Sequence, residues 1–427
     1  MNYRMLSLIA IGFAVAAVVC GCASYEKLEI DWEKNANEHH KPLGSIELTL
    51  GDVRRRVIAF SPRLNRLRLE ETSATNIAAN SGWWEDPTLD ADILRILRTP
   101  EEPIIAGISP RMTIPLSGIP GLEKKANAAY GKAARQAIIQ AEIDEASAAE
   151  ISAANVIEYS KTIGEIKALL ESPQYTRAMD QASKLSKSGE IPPSVIHSLL
   201  FERRQLENEM SEMLHEKLGN ETKLRREMRL RPDCRLILKE YSGYQVTTQR
   251  FECIELVAMP GVKAILARLE AGEAEMEKEI RRQYPDLTIG PEYSREEGYN
   301  RIGVGVSLPL PLWNRNRLAI AEADGKRKEL REEAISLWRD YVFEWQGLVY
   351  ESTRLHEEIA SLPIAENSVE EANALFVAGE IGVDEYLGSV HRRINDEIVN
   401  MKKRLDYTTM CIRMNRFAES MKKGRDE

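Results

Sequence analysis

Long apolar runs are what this sequence lacks. Beyond residue 22 no stretch approaches the ~20 apolar residues that a membrane-spanning helix requires, so a chain of this kind crosses a membrane only with strands. Aromatic residues are scarce at 6%, while Ala, Glu, Lys, Arg and Leu dominate the middle, a balance that favours extended helix packing over a large compact core. No single charge sign is concentrated anywhere. The net charge is -9, with Lys and Arg interspersed among Glu rather than gathered into a basic stripe, which argues against nucleic acid as a partner. Catalytic signatures are missing as well: there is no His-Glu-x-x-His, no Gly-x-Ser-x-Gly and no Gly-rich phosphate loop. His197, His215, His356 and His391 sit singly on long charged helical stretches. The chain reads as a non-enzyme without a cofactor or a bound metal.

What is present begins at the N-terminus. Arg4 precedes an apolar stretch from Leu6 to Val19 that is too short and wrongly flanked for a spanning helix, and residues 1–21 read as a signal peptide. The small Gly21 before Cys22 fits bacterial lipoprotein processing, with Cys22 as the acylated first residue; bulky Val19 makes Cys20 the poorer site. An ordinary signal peptide with incidental cysteines is the alternative. Ala23 and Ser24 supply no Asp of the kind that retains lipoproteins at the inner membrane, which leaves the outer membrane as the address. Of the remaining thiols, export permits a bond between Cys234 and Cys253; with Cys411 the number is odd, which suits three buried free thiols equally.

The chain is written twice. MTIPLSGIPGLEKKANAA from Met112 resembles VSLPLPLWNRNRLAIAEA from Val306, and SPRLNRLRLEE from Ser61 resembles MPGVKAILARLEAGEAE from Met259. Pro87 pairs with Pro285, Gly189 with Gly379 and Pro173 with Pro363, at offsets of 198, 190 and 190. Each half holds a helix (Gly51–Ala79; Val262–Arg282), two alternating segments, a very long helix (Leu122–Lys187; Leu318–Val377) bent at Pro173 or Pro363, a Gly-Glu-Ile turn and a long returning helix. Ala334, Trp338, Tyr341, Trp345, Leu348, Ser352, Leu355, Ile359 and Leu362 follow 4,3 spacing, as do Ile196, Leu199, Arg203, Leu206, Met210 and Met213. Such heptads predict coiled helix packing.

Four segments have period-2 patterning and predict strands over 86–93, 106–115, 286–294 and 301–309. Leu89, Ala91 and Ile93 alternate with Asp90 and Asp92, and Ile302, Val304 and Val306 with Arg301, Gly303 and Gly305. Four strands cannot close a barrel, since single-chain barrels start at about 8. Three chains would supply about 12, with the helices continuing the barrel as a hollow tube and Asp90, Asp92, Arg111, Glu292 and Arg301 facing its water-filled lumen.

These features resemble the TolC-like outer membrane efflux proteins. The resemblance covers nearly all of the chain after the leader and rests on the duplicated plan, on GVGVSLPLPLWNRNRLAIAEA from Gly303 and on AGEIGVDEYL from Ala378. The Pro-Leu-Pro-Leu then Asn-Arg-Asn form is similar to the branch that includes heavy-metal cation efflux channels. The resemblance implies a mainly α fold with a small β part, a homotrimer, and a passive conduit that receives cargo from an inner-membrane transporter through a periplasmic adaptor protein. It places adaptor contacts at the hairpin tips, Gly189, Glu190 and Ile191 and then Gly379, Glu380 and Ile381. At Gly189 a plain turn glycine is the equal alternative, because Pro192 and Pro193 depart from the usual tip pattern. Family members often close the tip with an arginine just after the glycine and with aspartates one turn on; here Ile381 holds the arginine position. Asp384 and Glu385 occupy the acidic neighbourhood, as a gate of carboxylates or as a solvated helix N-terminus favoured by its dipole.

The resulting division is a signal peptide (1–21), a lipidated linker (22–44), a first repeat (45–228), an equatorial connector (229–258), a second repeat (259–420) and a C-terminal tail (421–427). A type I protein secretion channel shares the same fold. A periplasmic metal-binding lipoprotein, suggested by Glu38, His39 and His40, is the rival of another class.

Overall fold

The computed structural model describes residues 25–35, 44–95, 104–239, 249–296, 299–311, 313, 315–360 and 368–426. An N-terminal unit ends at Gly44. Its described residues are exposed and contain one helical turn at 32–35, begun by the Asp31 carboxylate, which accepts from the Lys34 N–H at 2.8 Å. The second unit, from Ser45 onward, is mostly helical.

Its elements run β1 (Ile46–Leu48), α1 (Leu50–Phe60), α2 (Pro62–Ala79), β2 (Thr88–Arg95), β3 (Ile104–Ile114), α3 (Ile119–Leu170), α4 (Pro173–Ser188), α5 (Pro193–Glu227), β4 (Leu236–Leu238), a 3-10 turn (Cys253–Ala258), α6 (Pro260–Arg281), β5 (Leu287–Glu296), β6 (Tyr299–Ser307), α7 (Arg317–Ala360), α8 (Ser368–Ala378) and α9 (Val383–Asp426). The order helix, two strands, long helix, short helix, long helix occurs twice. Prolines cut the expected helices. Pro62 has no N–H to donate, so the helix expected from Gly51 to Ala79 ends at Ser61 and restarts. The span expected to Lys187 breaks before Pro173, where Ser172 Oγ accepts from the Tyr175 N–H at 3.2 Å and caps α4. Leu362 and Pro363 lie outside the described residues.

α3 is the central helix, packed against α1, α2, α5, α6 and α9. Its 52 residues span about 78 Å. Ala126, Ala129, Ala133, Ala141, Ala146, Ala149 and Ala153 are all buried, and their small side chains let neighbouring helices approach closely. Arginines bridge what the alanines bring together. Arg404 of α9 reaches Glu158 of α3 at 3.1 Å and Glu397 at 2.9 Å; Arg416 reaches Asp144 of α3 at 3.6 Å and Glu344 of α7 at 2.8 Å. Arg54 of α1 holds Glu150 of α3 at 3.2 Å and also Glu419 of α9. Burial raises the Asp144 and Glu150 carboxyls, and the adjacent arginines oppose it.

Three apolar clusters follow one another along the bundle. The heptad residues lie where the spacing puts them: Leu199, Leu206 and Met213 are buried with Leu387, Ile394 and Met401 in one cluster, and Trp345, Leu348 and Leu355 with Met414 and Phe417 in another. The third joins Leu48, Val53, Val57, Leu224, Met228, Cys234 and Leu236 around the parallel pair β1–β4, which the sequence analysis did not anticipate. None of these three cysteines forms a disulfide and Cys253 is exposed, so neither the bond nor burial of all three obtains. Residues 421–426 belong to the last helix. α9 continues through Asp426 because Met421 is buried beside Leu256 and Met259, and Gly424 abuts Ala258 and Pro260.

A polar chain runs outward from the first cluster. His391, read from the sequence as a single histidine on a charged helix, is buried; its Nε2 lies 2.8 Å from Tyr175 Oη and its Nδ1 2.9 Å from Glu202 Oε2, the carboxylate being exposed. A carboxylate only accepts, so Nδ1 carries the proton, and on the neutral ring Tyr175 donates to Nε2. The chain links α4 and α5 to α9. Burial pushes the Tyr175 hydroxyl up to about 12, and Tyr341, buried between Asp144 and Arg416, also to about 12.

The second sheet has strand order β2-β3-β5-β6, antiparallel throughout. Its strands exceed or shift from the expected bounds because pairing begins at Thr88 opposite Arg111, runs to Arg95 opposite Ile104, and stops at Ser307 opposite Thr288. The β3–β5 ladder is interrupted between Ile108 and Met112, where Pro110 and Pro291 have no N–H to contribute. There the strands approach so closely that a Cβ on Gly290 would lie 2.0 Å from the Pro110 carbonyl oxygen.

Gly290→Ala is therefore expected to destabilise the sheet by about 3 kcal/mol, at the upper end of an overpacking cost. Gly303→Ala, whose Cβ meets nothing within 4 Å, is expected to be neutral; protease resistance of the two hairpins compares the variants. The tyrosines set an alkaline limit. Their folded pKa lies above the unfolded value near 10, so their contribution is complete below pH 10 and declines as pH rises to about 12. Denaturant midpoints measured from pH 9 to 12 should fall less steeply in the Tyr175→Phe, Tyr341→Phe double variant than in the parent.

Candidate functional site

Residues directly opposite on antiparallel strands share a face, so the register sorts the sheet completely. One face carries Leu89 opposite Pro110, Met112 opposite Ile289 opposite Val306, and Ile108 opposite Tyr293 opposite Ile302. Among the described residues this face is uncovered: Ile302 is 85% and Ile93 80% exposed. The other face carries every residue expected to face water. Asp90 pairs with Arg111 at 3.0 Å, Asp92 lies opposite Gly107, Glu292 opposite Gly303 and Arg301 opposite Ser294. Gly290 faces Gly305 there, and Thr113 meets Thr288 at 3.2 Å, so much of this polar face is bare backbone and small hydroxyls. Among the described residues the outer strands β2 and β6 each leave one edge unpaired.

Aromatic side chains gather where the sheet meets the helices. Trp83 and Trp84 precede β2, Tyr284 precedes β5 and Trp313 follows β6, and all four are exposed. Both crossings from strand to helix turn through a left-handed residue, Gly118 at φ +68° before α3 and Asn316 at φ +55° before α7. The Asn316 amide donates to the Glu279 carbonyl and carboxylate at 2.9 and 2.8 Å, while the Asn316 carbonyl accepts from the Ile320 N–H. Asn314 lies outside the described residues. Ser117 donates its N–H and hydroxyl to Asp286, and Arg281 reaches the Ser117 carbonyl at 3.3 Å.

At the far end of the bundle the two hairpin tips come together. Gly189 has φ +81° and Gly379 φ +76°, and the following N–H groups of Glu190 and Glu380 each reach back to a helix carbonyl, of Leu185 and Leu375, at 2.9 Å. This is the Schellman arrangement, which requires the left-handed glycine. A Cβ at either glycine would meet nothing within 4 Å, so within one chain backbone conformation alone demands glycine. Glu190 and Glu380 are exposed, whereas Ile191 and Ile381 pack against one shared apolar cluster. Asp384 and Glu385 are exposed in the first turn of α9, and the Asp384 carboxylate folds back over Gly382 toward its own helix start. Phe376 and Tyr386 stack beside them at 4.9 Å.

The sequence analysis missed the Tyr175–His391–Glu202 chain behind these tips. A signal existed: Leu387, His391, Ile394, Ile398, Met401 and Leu405 keep 4,3 spacing, which puts His391 on the buried seam. No helix among the described residues is long and apolar enough to cross a membrane, and no group of His, Cys, Asp or Glu among them is arranged to hold a metal ion. Cys22, Glu38, His39 and His40 lie outside the described residues.

No protein-family model and no curated protein sequence matches the chain. Solved structures do. The Campylobacter jejuni outer membrane channel CmeC is similar over 94% of this chain and 91% of its own, with a TM-score of 0.64 and 13% identity. CusC, whose structures describe folding and transmembrane channel formation, is similar over 95% of this chain and 99% of its own, with a TM-score of 0.62 and 11% identity. The open state of the Neisseria gonorrhoeae outer membrane channel MtrE is similar over 87% and 88%, with a TM-score of 0.62 and 12% identity. From its first helix to its last, the chain has the fold of the outer membrane channels.

Proposed function

We propose that the protein is a passive conduit through the outer membrane, the channel component of a tripartite efflux assembly, formed by three copies and performing no catalysis. The observation that carries this reading is the sheet: one uncovered apolar face, one polar face and two unpaired edges at the end of a long hydrophilic helical bundle. In hydrocarbon each orphan N–H or C=O costs several kcal/mol, so the edges must be paired. The four strands alternate in direction, so β6 of one copy meets β2 of the next antiparallel, and a repeated head-to-tail contact closes into a ring. Two copies would give a barrel of about 8 strands, whose interior side chains fill; three give about 12 and leave a lumen.

The helices support the same assembly. α5 packs on α3 and α9, and α7 on α6 and α9, while Leu200, Phe201 and Leu218 on α5 and Phe343 and Tyr350 on α7 remain exposed. These apolar flanks suit neighbouring copies. Asp90, Asp92, Arg111, Glu292 and Arg301 then line the aqueous lumen. The tips at Gly189 to Ile191 and Gly379 to Ile381 receive a periplasmic adaptor protein that hands on cargo from an inner-membrane transporter. Asp384 and Glu385, repeated around the axis, form an acidic entrance that favours cations. A lipid on Cys22 anchors the chain, most of which lies in the periplasm.

The purified protein in detergent is expected to migrate as a heat-sensitive trimer and to conduct ions across a planar bilayer. A monomer without conductance would overturn the reading. Replacing Asp384 and Glu385 together with Ala should raise single-channel conductance or weaken divalent-cation block; unchanged currents would assign both carboxylates to the α9 helix start alone.

A further inference from the structure

Leu116 follows the end of β3 in a tight turn, its N–H donating to the Ile114 carbonyl at 2.9 Å; Leu308 follows the end of β6, and Pro285 precedes β5. Together with Ser117, Arg281 and Tyr284 they line a cavity of about 470 Å³ at the junction of sheet and helices. Its apolar members are open to the surroundings: Leu116 is 64%, Tyr284 65% and Leu308 45% exposed. Arg281, from the last turn of α6, lines it and is held in place, with one guanidinium nitrogen on the Ser117 carbonyl at 3.3 Å and another on Glu277 at 2.6 Å.

We propose that this cavity binds one glycerophospholipid of the periplasmic leaflet, its phosphodiester on the Arg281 guanidinium and an acyl chain along Leu116 and Leu308. The inference rests on the membrane-spanning reading of the sheet, and it names a ligand and a residue that the reading does not. Three features single out a lipid as occupant. The cavity is lined by Leu116 and Leu308, which follow β3 and β6, so it lies at an end of the sheet that carries the uncovered apolar face. Exposed Tyr284 lines the cavity and exposed Trp313 follows β6, and such amphipathic rings settle among headgroups. The cavity joins an arginine held by two hydrogen bonds to exposed leucines, the two chemistries that a phospholipid combines. Two of the three strand ends that wall it, those of β3 and β5, belong to the middle of the sheet, away from the edges that a second copy would cover.

The test uses the full-length protein assembled in bilayer nanodiscs of synthetic phosphatidylethanolamine and phosphatidylglycerol, then released into mild detergent for native mass spectrometry. The expected result is one retained phospholipid per chain, undisturbed by excess inorganic phosphate. Retention should fall about tenfold in Arg281→Gln, as for loss of a charge-assisted hydrogen bond, and comparably in Leu308→Gln, an exposed position whose replacement leaves the helices untouched. Arg282→Gln, one residue away and engaged with Glu279, should retain lipid as the parent does. Equal retention in the Arg281 and Leu308 variants, or retention of none by an inserted parent protein, would overturn the proposal. Failure of the parent protein to insert into nanodiscs at all would instead overturn the membrane reading on which it stands.

Discussion

A four-stranded sheet with an apolar face and two open edges is incomplete as a structure, and this incompleteness governs the rest of the molecule. In water such a sheet is a template for uncontrolled pairing, and in hydrocarbon its unpaired backbone groups are prohibitive. Neither problem is solved inside the chain, because the helices lie beyond the end of the sheet rather than over its face. In the proposed assembly β6 of one copy supplies the missing partner for β2 of the next, and lipid covers the face. The glycines of the polar face, Gly107, Gly290, Gly303 and Gly305, belong to the same logic. They keep side chains off the surface that closure turns inward, so a ring assembled to satisfy hydrogen bonds is left with an open interior.

The helical part obeys the opposite rule: it is held together from within. Alanines along α3 allow close packing, and arginines from α1 and α9 satisfy its carboxylates in pairs, with Arg54, Arg404 and Arg416 each contacting two. Such bridges add little net stability, since desolvation offsets much of their attraction. They do fix which helix face meets which. Near the tips this type of connection gives way to a single chain, Tyr175–His391–Glu202, which links the two hairpins from a buried tyrosine and histidine to an exposed carboxylate. The equator is thus cross-linked by charge, and the tips by one polar thread.

Much of this was legible in the sequence, wherever one physical period dominated. Alternation in the strands placed Asp90, Asp92, Arg111, Glu292 and Arg301 on one face because a β-strand has only two faces to choose from. The 4,3 spacing of α5 and α7 located their buried seams, and Gly189 and Gly379 marked turns that only a left-handed residue permits. What escaped notice was set by contacts distant in sequence. β1 and β4 are too short to carry a pattern and exist because Leu48 and Leu236 share a core. Gly424 is near the end of the described chain yet abuts Ala258, a contact no local signal announces. The break at Ser61 was visible as Pro62, but a proline at N1 of a new helix and a proline bending an old one look alike until the neighbours are known.

The junction between sheet and bundle illustrates how a duplicated chain becomes one body. The two crossings reach the same left-handed conformation by different means. Gly118 does so without a side chain, whereas Asn316 must be held, and its amide is held by Glu279. The same final turns of α6 supply Arg281, which grips the carbonyl of Ser117 at the other crossing. One helix end therefore anchors both exits of the sheet, one through a carboxylate and carbonyl, the other through a guanidinium. Rotation of either long helix about its own crossing would break bonds to α6 that the other crossing shares. Movement confined to the tips, where the hairpins are joined by one polar thread, breaks none of them. The architecture thus separates a region that can rearrange from one that must not, since any twist reaching the strands would part the edges on which closure depends.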